Sequence, residues 1–160
     1  MIKIYESDNL DNPTTLPTIT GATLLSIEEA GKYLSNGERK YHNGWWLRSP
    51  GSNWFAAAFV DKLFGAIYDY TYGYYVNYKN FCVRPALIIN LESSSFKVGD
   101  TFEINGYKFK LISHDLAWMY NSDIGLYPFN ENGRDGNDYN TSDVKRYVDN
   151  WFNTEIKPYV

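Results

Sequence analysis

The chain has little cysteine, little net charge and no long apolar run. Cys82 is its one cysteine, so neither an intrachain disulfide framework nor a multi-thiolate zinc site can be built. The formal net charge of −4 comes from scattered residues. That argues against a phosphate-backbone binder, which carries a basic stripe. No stretch of sequence is apolar enough to span a bilayer, and Met1–Asp8 lacks the long apolar run of a signal peptide. These absences predict a protein without a membrane partner, cytoplasmic or carried on a virion. Phosphate-cradling glycine loops and HExxH zinc motifs are missing too.

Aromatic residues are in surplus: 15 tyrosines and 5 tryptophans in 160 residues. A core of this size does not need so much tyrosine. Tyr has few rotatable bonds and a polar tip, so it loses little entropy on making a contact. A Tyr-, Asn- and Gly-rich run between Trp45 and Leu87 therefore reads as a binding surface, framed by Trp45–Gly51 and Cys82–Leu87.

Residues 1–5 alternate and read as a strand, 6–21 as a loop, and Thr23–Leu25 as a second strand. Ser26 and Glu29 form a capping box that starts a helix to about Leu34, with Ile27, Ala30 and Leu34 inward and Asn36-Gly37 as its stop. Trp45–Arg48 and Ala56–Val60 read as strands. Gly65–Tyr70 and Gly73–Asn77 continue as a meander. Cys82–Leu91 reads as the strongest strand, with Pro85 implying an edge or a bulge. Asn105-Gly106 joins two alternating runs as a hairpin, and Asp115–Tyr120 gives a further strand. After a polar loop over 121–140, Thr141 or Ser142 caps a helix with Val144, Tyr147, Val148, Trp151 and Phe152 on its apolar face, ended by Pro158.

Leu24–Ala30, the Trp-Leu-Arg-Ser-Pro-Gly run ending at Gly51, Ala57–Val60 and Val83–Leu87 resemble a bacterial and phage family of uncharacterised proteins. That family looks like a branch of the C-type-lectin-like fold, alongside formylglycine-generating enzymes and the variable proteins of diversity-generating retroelements. The resemblance implies an α+β fold of short antiparallel strands with two helices. Residues 99–154 resemble the family's amino-terminal half but come last. The implied organisation is one circularly permuted domain over 1–160, with 1–94 as the family's carboxy-terminal half and 95–160 as its amino-terminal half. A fragment of a tandem array is the other reading.

The same resemblance sharpens the central run. In variable proteins of this class, adenines in Asn codons are randomised ahead of the closing motif. Asn53, Phe55, Asp61, Leu63, Tyr68, Asp69, Tyr70, Tyr72, Tyr74, Asn77, Tyr78 and Asn80 fit that pattern. Trp54, Lys62 and Lys79 do not. Turn-forming asparagine gives an alternative account of the composition. The candidate ligand-binding set is those twelve residues with Trp54, Lys62 and Tyr75.

Each candidate has a plainer reading. Alternate tyrosines of a meander could face the core. Trp45 and Trp46 read as core, and Arg48 and Arg84 as scaffold, since a buried Arg needs acceptors. Asn130–Asp138 carries oxygens enough for calcium, but its spacing departs from an EF-hand loop and Arg134 opposes it, so no metal is assigned. His42 and His114 lack a recognisable nucleophile partner. Cys82 reads as a buried hydrophobe, and the formylglycine-generating relatives rely on two thiols. The expectation is a non-enzymatic module, without cofactor, binding a protein or a glycan. The alternative is a phage-encoded inhibitor of a bacterial defence enzyme.

Overall fold

The computed structural model describes residues 2–4, 15–68 and 73–160. The fold is α+β. Six antiparallel strands form one sheet in the order β1-β8-β9-β10-β7-β2: β1 Ile2–Ile4, β2 Thr18–Thr23, β7 Ala86–Asn90, β8 Thr101–Ile104, β9 Tyr107–Leu111 and β10 Leu116–Met119. This sheet draws strands from both sides of the Ser-rich run 92–95. A second sheet holds β3 Trp45–Pro50, β4 Ala56–Val60, β5 Ile67–Tyr68 and β6 Tyr74–Tyr75. The helices are α1 Ile27–Tyr33, α2 Asn36–Arg39 and α3 Asp143–Trp151.

Where local chemistry decides, the elements follow the sequence. Ser26 takes the amide of Glu29 and the Glu29 side chain returns to the Ser26 amide, starting α1. Asn105 and Gly106 take φ of 51° and 85° between β8 and β9, the left-handed pair a two-residue hairpin needs. Ser142 caps α3 through the Lys145 amide, and Val144, Val148 and Trp151 are buried.

Elsewhere tertiary pairing overrides the sequence pattern. β2 starts at Thr18, inside the expected loop, because β7 supplies a partner from Asn90 to Ala86. Asn36-Gly37 does not end the helical region. Ser35 and Glu38 make a second capping box, so the described residues hold three α-helices rather than two. The expected strand over Cys82–Leu91 begins only at Ala86. Residues 82–85 cross between the sheets, with Cys82 bridging Trp45 and Leu126, and Pro85 accepting from the Met119 amide at 3.1 Å. The last helix continues past Trp151 through a π-turn over Phe152–Ile156, and Pro158 lies inside the final 3-10 turn.

The expected meander is also corrected. β5 and β6 do not lie side by side. Both pair with the same edge of β4, Ile67 and Tyr68 against Val60 and Phe59, then Tyr74 and Tyr75 against Ala57 and Ala56. They are two pieces of one interrupted edge strand.

Successive side chains of a strand point to opposite faces, and β3 and β4 use this to face two cores. Trp46, Ala57 and Phe59 join Phe81, Phe129 and the buried face of α3. Trp45, Ala58 and Val60 join Ala30, Leu34 and Trp118. The two β3 indoles find carbonyls: Trp45 Nε1 donates to Arg39 at 3.0 Å and Trp46 Nε1 to Tyr127 at 2.9 Å. Among the described residues, no helix is long and apolar enough to cross a membrane.

Candidate functional site

The Trp-Leu-Arg-Ser-Pro-Gly run turns out to hold the start of α1. The Arg48 amide donates to the Leu25 carbonyl and Nη1 to the Leu24 carbonyl, at 2.9 and 2.8 Å. Arg48 also forms an ion pair with Glu29, the capping-box carboxylate. Ser49 Oγ accepts from the Ile27 amide at 2.9 Å. One motif thereby fixes the helix to the second sheet through four contacts.

Arg84, in the closing motif, is buried and forms no carboxylate salt bridge among the described residues. Its guanidinium carbon sits 4.1 Å from the Tyr41 ring centroid, 4.3 Å from Trp118 and 5.0 Å from Trp45. Nε donates to the Ser122 carbonyl at 3.1 Å, while Nη1 has no hydrogen-bond partner. Burial pulls its pKa down to about 10, and ring quadrupoles compensate part of the lost hydration. Tyr41 donates to Asp123 at 2.6 Å. Burial, then that carboxylate, pushes the phenol upward. Cys82 lies beside this group, and burial raises its thiol to about 12. A thiolate is the nucleophile, and burial here favours the protonated thiol.

The binding candidates cluster around β4. An unbroken series of ring contacts runs outward from the core. Trp46 meets Phe81 at 4.8 Å, Phe81 stacks on Phe59 at 4.8 Å, and Phe59 stacks on Tyr68 at 4.7 Å. Tyr74 touches Phe59, Phe81, Tyr78 and Tyr75. Tyr75 stacks on Phe55, which meets Trp54. At the outer end the rings stand in solvent, with Trp54 58% and Tyr75 61% exposed, and Tyr74 and Tyr68 at 38% and 37%. Phe55 and Tyr78 are half-buried, whereas Asn53, Asn77, Asn80 and Lys62 are exposed around them. Asp69, Tyr70 and Tyr72 lie outside the described residues.

Asp61 is occupied within its own turn. Its Oδ1 accepts from the amides of Phe64 and Ala66 at 2.9 and 3.3 Å. That turn holds Leu63 and Phe64 at 63% and 70% exposure. Phe64 was not among the sequence candidates. An apolar pair ahead of Gly65, which has a φ of 66°, was the available signal. Buried Arg39 fixes the base of the turn, with Nε donating to the Gly65 carbonyl at 2.8 Å and Nη1 to Leu34 at 2.6 Å.

The polar loop behind the face spends oxygens and amides on its own turns and on neighbouring segments. Asn130 accepts from the Asp143 amide, Asn132 from the Arg134 amide and Asp138 from the Asn140 amide. Asn137 donates to the carbonyls of Asn53 and Ala56, at 3.0 Å each. The loop therefore buttresses the Trp54 turn. His42 is exposed, 3.9 Å from Asp123, and His114 stands exposed in the β9–β10 turn. A groove of about 900 Å³ lies elsewhere, between β2 and the carboxy-terminal helical turns. Of the sequence candidates among the described residues, only Arg48 lines it. Comparison with family models, curated proteins and solved structures found no match to this chain.

Proposed function

We propose that this chain is a non-catalytic binding module whose aromatic face over β4–β6 takes a protein or a glycan. The observation that carries the reading is the ring series from buried Trp46 to exposed Trp54 and Tyr75. Exposed rings already seated on a core lose little further entropy on binding, and Tyr and Trp dominate binding energy where they are anchored. Exposed Leu63 and Phe64 extend the apolar surface, and contiguous apolar patches mark interaction sites. The protonated, buried Cys82 thiol favours binding over nucleophilic chemistry.

The finer fold reading belongs to the same proposal: a C-type-lectin-like domain with its halves in swapped order. Its support is the two signature runs, one tying α1 to β3 and the other joining the two sheets. The test is a capture experiment with bacterial lysate and a glycan array in parallel, using wild-type protein and the Tyr74→Ala, Tyr75→Ala double variant. One ligand class retained by wild type and lost by the variant supports the reading. Equal retention by both proteins contradicts it.

A further inference from the structure

Four Asn-Gly bonds occur in the chain, at 36–37, 43–44, 105–106 and 132–133. Such a bond can close on itself when the glycine nitrogen meets the asparagine side-chain carbonyl carbon. Whether it does so depends on the backbone and on what holds the carboxamide. The structure separates the four.

Asn36 opens α2 and accepts from Arg39 Nη2, and a helical backbone turns the next amide away from the side chain. Asn105 donates its amide to the Glu155 carbonyl and carboxylate, at 3.1 and 2.8 Å. Asn132 has ψ of 115°, and its Oδ1 is taken by the amide one residue further on, that of Arg134. Asn43 differs. Its Oδ1 accepts from the Gly44 amide at 2.8 Å. A carbonyl carbon lies about 1.2 Å from its oxygen, which brings Cγ to within about 3–4 Å of that nitrogen, next to the near-attack range.

We infer that Asn43-Gly44 is a self-modifying bond set beneath the aromatic face, and that its rearrangement displaces Phe81. The Gly44 nitrogen loses its proton and bonds to Asn43 Cγ. The Cγ–Nδ2 bond breaks, and ammonia leaves carrying that proton, closing a succinimide. Water then opens either carbonyl, giving aspartate or the isoaspartyl linkage, with no change of oxidation state. The isoaspartyl form inserts a methylene into the main chain. Gly44 next to it is closely packed: a Cβ there would lie 2.6 Å from Phe81 Cε1 and 3.2 Å from the Val60 carbonyl oxygen, so a longer main chain at this point presses on Phe81. Phe81 supports Phe59, Tyr74 and Tyr78, so its shift carries into the face. The effect on binding rests on the function proposed above; the chemistry at Asn43 does not.

The test is peptide mapping by mass spectrometry of the folded protein, aged at mildly alkaline pH beside a urea-unfolded sample. In the folded sample Asn43 converts several-fold faster than Asn36, Asn105 and Asn132, the rate rises with pH, and Asn43→Gln abolishes it. Aged protein also shows moved Phe81 ring resonances. An unmodified or equally modified Asn43, or conversion only after unfolding, overturns the inference. Conversion with unmoved Phe81 resonances overturns its structural half. Conversion and moved resonances without altered partner affinity would count against the binding reading alone.

Discussion

Phe59 and Tyr68 stack face to face, 4.7 Å between centroids and 7° from parallel, across the β4–β5 pairing that sets them directly opposite. Phe59 is core and Tyr68 is surface, so this one stack joins the fold to the face it displays. Stacked pairs contribute about 0.5–1.5 kcal/mol beyond their burial. Tyr68→Ala is expected to cost about 1 kcal/mol in urea unfolding on that basis. Lys62→Ala, at an exposed position, should stay within about 0.5 kcal/mol.

Arg48 and Glu29 should be coupled. Glu29 serves both the capping box and the ion pair, and both side chains are partly screened from solvent. A double-mutant cycle with Arg48→Met and Glu29→Gln is expected to give a coupling of about 0.5–1.5 kcal/mol, as partners in one network do. Additive effects would show that the motif does not hold α1 through this pair.

Arg84 tests whether rings can hold a buried cation. Arg84→Ala removes a packed side chain from among Tyr41, Trp45 and Trp118, and is expected to lower unfolding stability by about 3 kcal/mol, as large-to-small core changes do. Arg84→Lys keeps the charge but loses the planar stacking, so it should recover less than half of that loss. Full recovery by lysine would contradict the ring-stacking account.

Alkaline pH should destabilise the fold, beginning with Cys82. Its folded thiol is raised to about 12 by burial, against about 8.5 in an unfolded chain. Between those values the folded state binds more protons, so stability falls as pH rises. Tyr139, raised by burial to about 12, adds to the fall above about pH 10, the unfolded phenol value. Arg84, lowered to about 10, acts oppositely there, because its unfolded form keeps its proton. Urea midpoints should therefore decline from about pH 8.5 to 10, and Cys82→Ala should flatten that decline. An equal decline in Cys82→Ala would assign it elsewhere.

What the sequence made legible was local. The Ser26–Glu29 box, the Asn105-Gly106 turn and the Ser142-capped helix each depend on residues within four positions of one another. The interrupted edge strand was hidden, because β5 and β6 are two residues each and gain their conformation from β4. The crossing at 82–85 was hidden for the same reason: an apolar run reads as strand whether or not a partner lies beside it. Tyr74 and Tyr75 are legible from the tyrosine-rich run together with the family resemblance, and Trp54 from its place within that run. Phe64 was missed because its exposure is set by Asp61, Gly65 and the distant Arg39.

The most direct measurement of the central claim pairs affinity for a captured partner with thermal stability, for Trp54→Ala, Tyr74→Ala and Tyr75→Ala. The account predicts that at least two of the three weaken binding by about 2 kcal/mol or more, as anchored aromatic contacts do, while unfolding stability falls by under about 1 kcal/mol for Trp54→Ala and Tyr75→Ala and by about 2 kcal/mol for Tyr74→Ala, which packs on four rings. Unchanged affinity with a collapse in stability would make these rings part of the core and contradict the account.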